Sequence, residues 1–148
     1  MEAPIPQMGK PYNKFLERGI IAVTIVDIVG SLLSQWLNFD YGWFSIFSAA
    51  IYIGMAYLIA RKQNLKTTLW STTKLALYDT TIGFMLSLLL EANNGYDDQL
   101  YKLGLAGWLI LIIVWALLSN VLGLIGYKLA MWRKKSNSNS PAMLNELE

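Results

Sequence analysis

Four apolar runs, each about as long as a helix that crosses a bilayer, take up most of this 148-residue chain. They cover residues 19–37, 43–60, 69–90 and 103–132. A helix needs about 20 mostly apolar residues to cover the hydrocarbon core. In that layer every backbone N–H and C=O must be satisfied internally, which restricts spanning structures to helices and closed barrels. With 55% hydrophobic and only 15% charged residues, gathered in blocks, the chain is too apolar for a soluble domain of its size. The expected fold is therefore all-α, a polytopic membrane protein whose four transmembrane helices form two antiparallel hairpins. Residues 1–18 read as an N-terminal arm, 19–135 as the transmembrane domain and 136–148 as a flexible tail rich in Ser and Asn. The third run is the least apolar, carrying Thr72, Thr73, Lys74, Asp79, Thr80 and Thr81. It should depend on its neighbours for insertion. The fourth run exceeds one span and should tilt or continue beyond the bilayer.

Basic residues set the expected orientation. Lys10, Lys14 and Arg18 precede the first run, Arg61, Lys62 and Lys66 separate the second from the third, and Arg133, Lys134 and Lys135 follow the fourth. The other two loops hold Asp40 and then Glu91, Asp97 and Asp98, with Lys102 alone on the basic side. Both termini are expected in the cytoplasm, with the chain multi-pass in the inner or plasma membrane. The opening segment is polar and broken by proline, without a short apolar core and small-residue cleavage site, so it reads as an arm and not a signal peptide. Trp36, Trp43, Trp70, Trp108 and Trp132 fall near run ends, where indoles anchor in the headgroup layer. Trp115 lies well inside the fourth run and reads as a packing or lipid-facing ring.

The chain has no cysteine and no histidine. That excludes disulfides, thiolate metal sites, histidine haem ligation and Ser-His or Cys-His catalysis. The acids are scattered along the sequence, so no carboxylate metal centre is expected. No catalytic residue, cofactor or nucleic-acid partner is expected, and the chain does not read as an enzyme.

Two aspartates interrupt the runs: Asp27 in IIAVTIVDIVGSLLSQWL and Asp79 in LALYDTTIGFMLSLLL. A carboxylate at the centre of a spanning helix costs roughly 2.5–3.5 kcal/mol on insertion scales, and such residues face cavities or partners. Asp27 lies about 13 Å beyond Arg18 at 1.5 Å per residue, close to the bilayer centre. It should be protonated or meet Tyr78, Asn120 or a bound cation. Asp79 is expected to be shallower, nearer the basic loops, and to form an ion pair with Lys128 or Lys74. On the first run Thr24, Asp27, Ser31 and Ser34 fall on one helical stripe. Asp27, Asp79, Thr24, Ser31 and Asn120 are the candidate substrate or proton path. Small and hydroxyl-bearing residues also glue helices together.

The two halves share a layout. Asp27, Gly30 and Ser34 parallel Asp79, Gly83 and Ser87, with one residue more in the second set, and IYIGMAYLIARK parallels GLIGYKLAMWRK. An even number of spans per repeat would make the copies parallel. Phe15, Gly19, Thr24 and Asp27 in FLERGIIAVTIVD, with the ends AYLIARKQNLK and GYKLAMWRKK, resemble the GtrA-like family of small four-span membrane proteins. The glycine-to-threonine spacing is one residue longer here, and that family's Asn and Trp/Phe-Thr-Phe elements after the second span are missing. The resemblance implies a role in moving or presenting polyprenyl-phosphate-linked sugars, with Thr24 and Asp27 as the matched positions.

Two functions fit these residues. One is a small flippase-like transport protein that moves or presents a lipid-linked or small polar substrate by way of Asp27 and Asp79. The other is a non-catalytic subunit of a larger membrane complex. The expected partners are the lipid bilayer, a lipid-linked substrate and either further copies of the chain or other membrane subunits.

Overall fold

The structure, a computed structural model, describes residues 10–93 and 104–139. The loop acids Asp97 and Asp98, with Lys102, lie outside the described residues, as does most of the expected tail. All regular structure among the described residues is helical. Helix α1 spans Lys10–Leu37, α2 Ser45–Ala60, α3 Leu65–Tyr78, α4 Phe84–Leu89 and α5 Gly104–Asn139. A 3₁₀ turn, Tyr41–Phe44, leads into α2, and a π turn, Asp79–Gly83, joins α3 to α4.

Among the described residues three helical stretches are long and apolar enough to cross a membrane: Lys14–Leu37, Tyr41–Ala60 and Gly104–Ser136. The third run of the sequence behaves differently. It is helical from Leu65 to Leu89, but the π turn divides it into α-helices of 14 and 6 residues. Helix α1 begins at Lys10, so half of the expected arm is helical; Pro11 falls in its first turn, where a missing N–H costs no hydrogen bond. At 36 residues, about 54 Å of helix, α5 runs well past a single span, as its sequence suggests.

The most extensive pairing is α2 with α5, followed by α3 with α5, while α1 packs on α2 and the α3–α4 run. Close approach explains the first pairing: a Cβ on Gly126 of α5 would lie 2.5 Å from the Ile53 carbonyl oxygen of α2. The apolar core is small, with Val23, Tyr52, Met55, Ile59, Leu75 and Ala76 at its centre. Hydroxyl groups fill much of the remaining interior. Ser31, Ser34, Thr68, Ser71 and Thr72 are fully buried, whereas Leu89 is 81% and Leu105 80% exposed. Such an inside-out distribution suits a bundle whose solvent is lipid, because small and polar residues then make the helix contacts. Most of these hydroxyls donate to a carbonyl three or four residues earlier, as Ser34 does to Ser31, Thr68 to Asn64 and Ser71 to Thr67.

The two ends of the bundle differ in chemistry. At one end Phe15 of α1 lies under the Lys62 ammonium, and Arg133 of α5 donates to the Tyr57 hydroxyl at 3.3 Å. A basic groove of about 240 Å³ there is lined by Arg61, Arg133 and Lys134. At the other end the chain reversals are tied together. The Tyr41 N–H donates to the Asn93 carbonyl at 2.8 Å, and the Asn93 N–H donates to Ser34 Oγ at 3.2 Å.

Candidate functional site

The helix hydrogen-bond ladder positions both aspartates. Asp27 stands ten residues before Leu37, the end of α1, and Asp79 ten residues before Leu89, the end of α4. Counted from those ends the two stand close to level in the bundle, where the sequence reading has Asp79 the shallower. Helix α3 starts at Leu65, four residues before the apolar run begins, and this carries Asp79 deeper. The extra residue between Asp79 and Gly83, which spoiled the match with Asp27 and Gly30, is taken up by the π turn. There the Phe84 N–H reaches the Asp79 carbonyl five residues back, in a turn that holds one residue more than an α turn. Ser34 and Ser87 then come out alike. Each hydroxyl donates three residues back, and each carbonyl accepts from the N–H five residues on, Phe39 in one case and Ala92 in the other. Both reversals pass through a residue of positive φ, Asn38 and Glu91 at 50° each.

Gly83 is where the two acids meet. A Cβ there would collide with Asp27 Oδ2 and lie 3.0 Å from Asp79 Oδ1. Both oxygens thus fall within 3.0 Å of one point, so no more than about 6 Å separates them. Any side chain at position 83 would occupy the space between them. Two tyrosines complete the arrangement: Tyr41 donates to Asp27 Oδ1 at 2.8 Å, and Tyr52 donates to Asp79 Oδ2 at 3.0 Å. Asp27 is only 2% exposed, and its second oxygen, Oδ2, is buried without a hydrogen-bond partner. One turn along the same stripe, the buried Ser31 hydroxyl also lacks a partner.

The pair lines a cavity of about 370 Å³ between α1, α2, the α3–α4 run and α5 of one chain. Asp40 and Gly42 line it at the Tyr41–Asn93 end, and Ser48, Phe84 and Trp115 line it as well. Among the described residues no group of three or more acidic, histidine or cysteine side chains is arranged to hold a metal ion.

The remaining candidates are placed elsewhere. Thr24 is hydrogen-bonded to the Tyr78 hydroxyl at 2.9 Å, so Tyr78 serves Thr24 and not Asp27. Asn120 accepts from Thr73 at 3.2 Å and donates to the Ala116 carbonyl at 2.9 Å, locking α5 to α3 outside the cavity. Tyr41, not Tyr78 or Asn120, is the partner of Asp27. Asp79 pairs with Tyr52 where a lysine was expected; Lys74 is exposed with its ammonium over the Trp70 ring, and Lys128 is exposed on α5. Trp115 forms a cavity wall as well as packing, and Trp108 stacks edge-on against Phe84 at 4.7 Å. Trp36, Trp43, Trp70 and Trp132 are exposed, as anchoring indoles would be.

Sequence reasoning missed Tyr41, and it placed Tyr52 on the small, polar face of the second run without pairing it to Asp79. Tyr41 reads as a loop residue beside Asp40, and only the fold of the 3₁₀ turn returns its hydroxyl to Asp27. No protein-family model, curated protein or solved structure matches this chain.

Proposed function

We propose that this chain is a small carrier-type membrane protein that takes a polar substrate into the cavity between its helices and holds it at Asp27 and Asp79. The observation that carries this reading is the orphaned Oδ2 of Asp27. A buried carboxyl oxygen with no partner in the protein, on an aspartate that lines a cavity within one chain, is suited to receive a donor from outside the protein. A face against another subunit, as an accessory component would require, has no comparable observation behind it.

The reading includes four spans, with the Leu65–Leu89 run crossing as a helix interrupted by its π turn. Discontinuous helices at a midplane site are a recurring device of transport proteins. Both termini are cytoplasmic by the positive-inside bias of Arg18, Arg61, Lys62 and Arg133–Lys135, which puts the Asp40 end of the cavity, its mouth in this reading, on the outer side. The two hairpins are copies of one ancestral hairpin, as the matched Ser34 and Ser87 ends suggest. A lipid-linked substrate, the role implied by the resemblance to the GtrA-like family, would bring its polar head to this cavity.

The test is purification of the full chain in mild detergent, as wild type, Asp27→Asn and Asp79→Asn, with mass spectrometry of the small molecules retained. A polar molecule held by the wild type and lost from both variants, which keep their helical content, supports the proposal. Variants that keep the same small molecules and instead lose partner subunits would overturn it.

A further inference from the structure

The cavity lining is acidic. Asp27, Asp40 and Asp79 all line it, and among the described residues no lysine or arginine does. Low-dielectric walls lined by charge of one sign focus the field and concentrate ligands of the opposite sign. Asp40 lines the cavity at its Tyr41–Asn93 end, where it would draw a cation inward, and Asp27 and Asp79 line it farther along the helices. Asp27 Oδ2 is unpartnered although Asp27 is 2% exposed, and it and Asp79 Oδ1 converge on Gly83, all three residues lining the cavity. The walls include the rings of Tyr41, Phe84 and Trp115, and aromatic faces attract cations. A volume of about 370 Å³ is that of a small-molecule site and far more than a bare metal ion fills.

Resting on the reading of this cavity as a substrate site, we infer that it recognises a primary ammonium group, carried either by a small free amine or by an amine-bearing lipid headgroup. An R–NH₃⁺ group brings three donors and a positive charge. It can serve Asp27 Oδ2 and Asp79 Oδ1 together while its substituent lies against Trp115. A quaternary ammonium supplies the charge without a donor, and an alcohol supplies a donor without the charge.

Those three chemistries define the experiment. The full chain is placed in nanodiscs of phosphatidylcholine, whose headgroup has no N–H, and titrated by calorimetry with benzylamine, benzyltrimethylammonium and benzyl alcohol. Charge-assisted hydrogen bonds are about twice as strong as neutral ones. Benzylamine should therefore bind at least about tenfold more tightly than either analogue, a step of 1.4 kcal/mol. Asp27→Asn should erase that preference. Equal binding of benzyl alcohol, or a preference that survives Asp27→Asn, would overturn the inference, and the comparison on the unmodified chain holds whether or not the variant folds. Adding phosphatidylethanolamine to the nanodiscs separates the sources. Competition with benzylamine assigns the ammonium to a headgroup, and unchanged affinity assigns it to a free amine. Absence of binding by all three probes, while an impermeant thiol reagent still reaches Ser48→Cys, would refute the ammonium alone. If the reagent also fails to reach that position, the cavity reading itself has failed.

Discussion

Gly83→Ala should destabilise the protein in proportion to how closely the two carboxyl groups approach. Two effects oppose each other. Replacing glycine by alanine within a helical run stabilises by about 0.5–1 kcal/mol. The added methyl, however, would collide with Asp27 Oδ2 and sit 3.0 Å from Asp79 Oδ1. Forcing a methylene-sized group into a packed interior costs about 1–3 kcal/mol. Gly54 supplies the control: it is exposed on α2, and a Cβ there would meet nothing within 4 Å. Gly54→Ala keeps the helix-propensity gain and lacks the clash, so the difference between the two variants isolates the clash at about 1–3 kcal/mol. At roughly 2–4 °C per kcal/mol, thermal unfolding in dodecyl maltoside should place Gly83→Ala several degrees below Gly54→Ala. Equal Tm values for the two would refute the convergence of Asp27 and Asp79 on Gly83.

Tyr41→Phe and Tyr52→Phe each remove the donor to one carboxyl, leaving a buried acceptor unmet at a cost of about 1–3 kcal/mol; thermal unfolding of the single and double variants checks this. Thr73→Val and Asn120→Leu should show a coupling of about 0.6–1.7 kcal/mol in a double-mutant cycle, the range for polar contacts between membrane helices. A cycle that closes at zero would mean the α3–α5 clamp contributes nothing. A reporter that fluoresces only in the cytoplasm should be bright when fused to either terminus, and a dark fusion would reverse the proposed orientation.

Much of the helical layout could be read from the chain because apolar length is written directly into it. The runs that became α1, α2 and α5 stand out, and the stripe through Asp27, Ser31 and Ser34 is buried as its spacing suggests. The third run was harder to read. Its hydroxyls and Asp79 lower its apolar character, and a π turn leaves no mark in a periodicity of 3.6 beyond one unmatched residue. That residue looked like a flaw in the parallel between Asp27–Gly30 and Asp79–Gly83; structurally it is what brings the second carboxyl to the depth of the first. The partners of the aspartates were out of reach for a different reason. Tyr41 and Tyr52 are separated from Asp27 and Asp79 by 14 and 27 residues, and their pairing depends on how α2 turns back against α1 and the π turn. For Asp79 a lysine looked the better partner, because charge is visible in a sequence and direction is not, and for Asp27 the phenol expected is that of Tyr78. The phenols that reach the two carboxyls are Tyr41 and Tyr52.

The central claim, that Asp27 and Asp79 stand in a cavity open to water from the Asp40 end, is most directly tested by thiol labelling. The chain has no cysteine, so a single one can be introduced without background. In proteoliposomes, Ser48→Cys on the cavity wall should react with an impermeant methanethiosulfonate reagent, while Ile46→Cys, at a position 61% exposed on the outer face of α2, should stay inert in lipid. An inert Ser48→Cys, or equal reaction at both positions, would contradict the account.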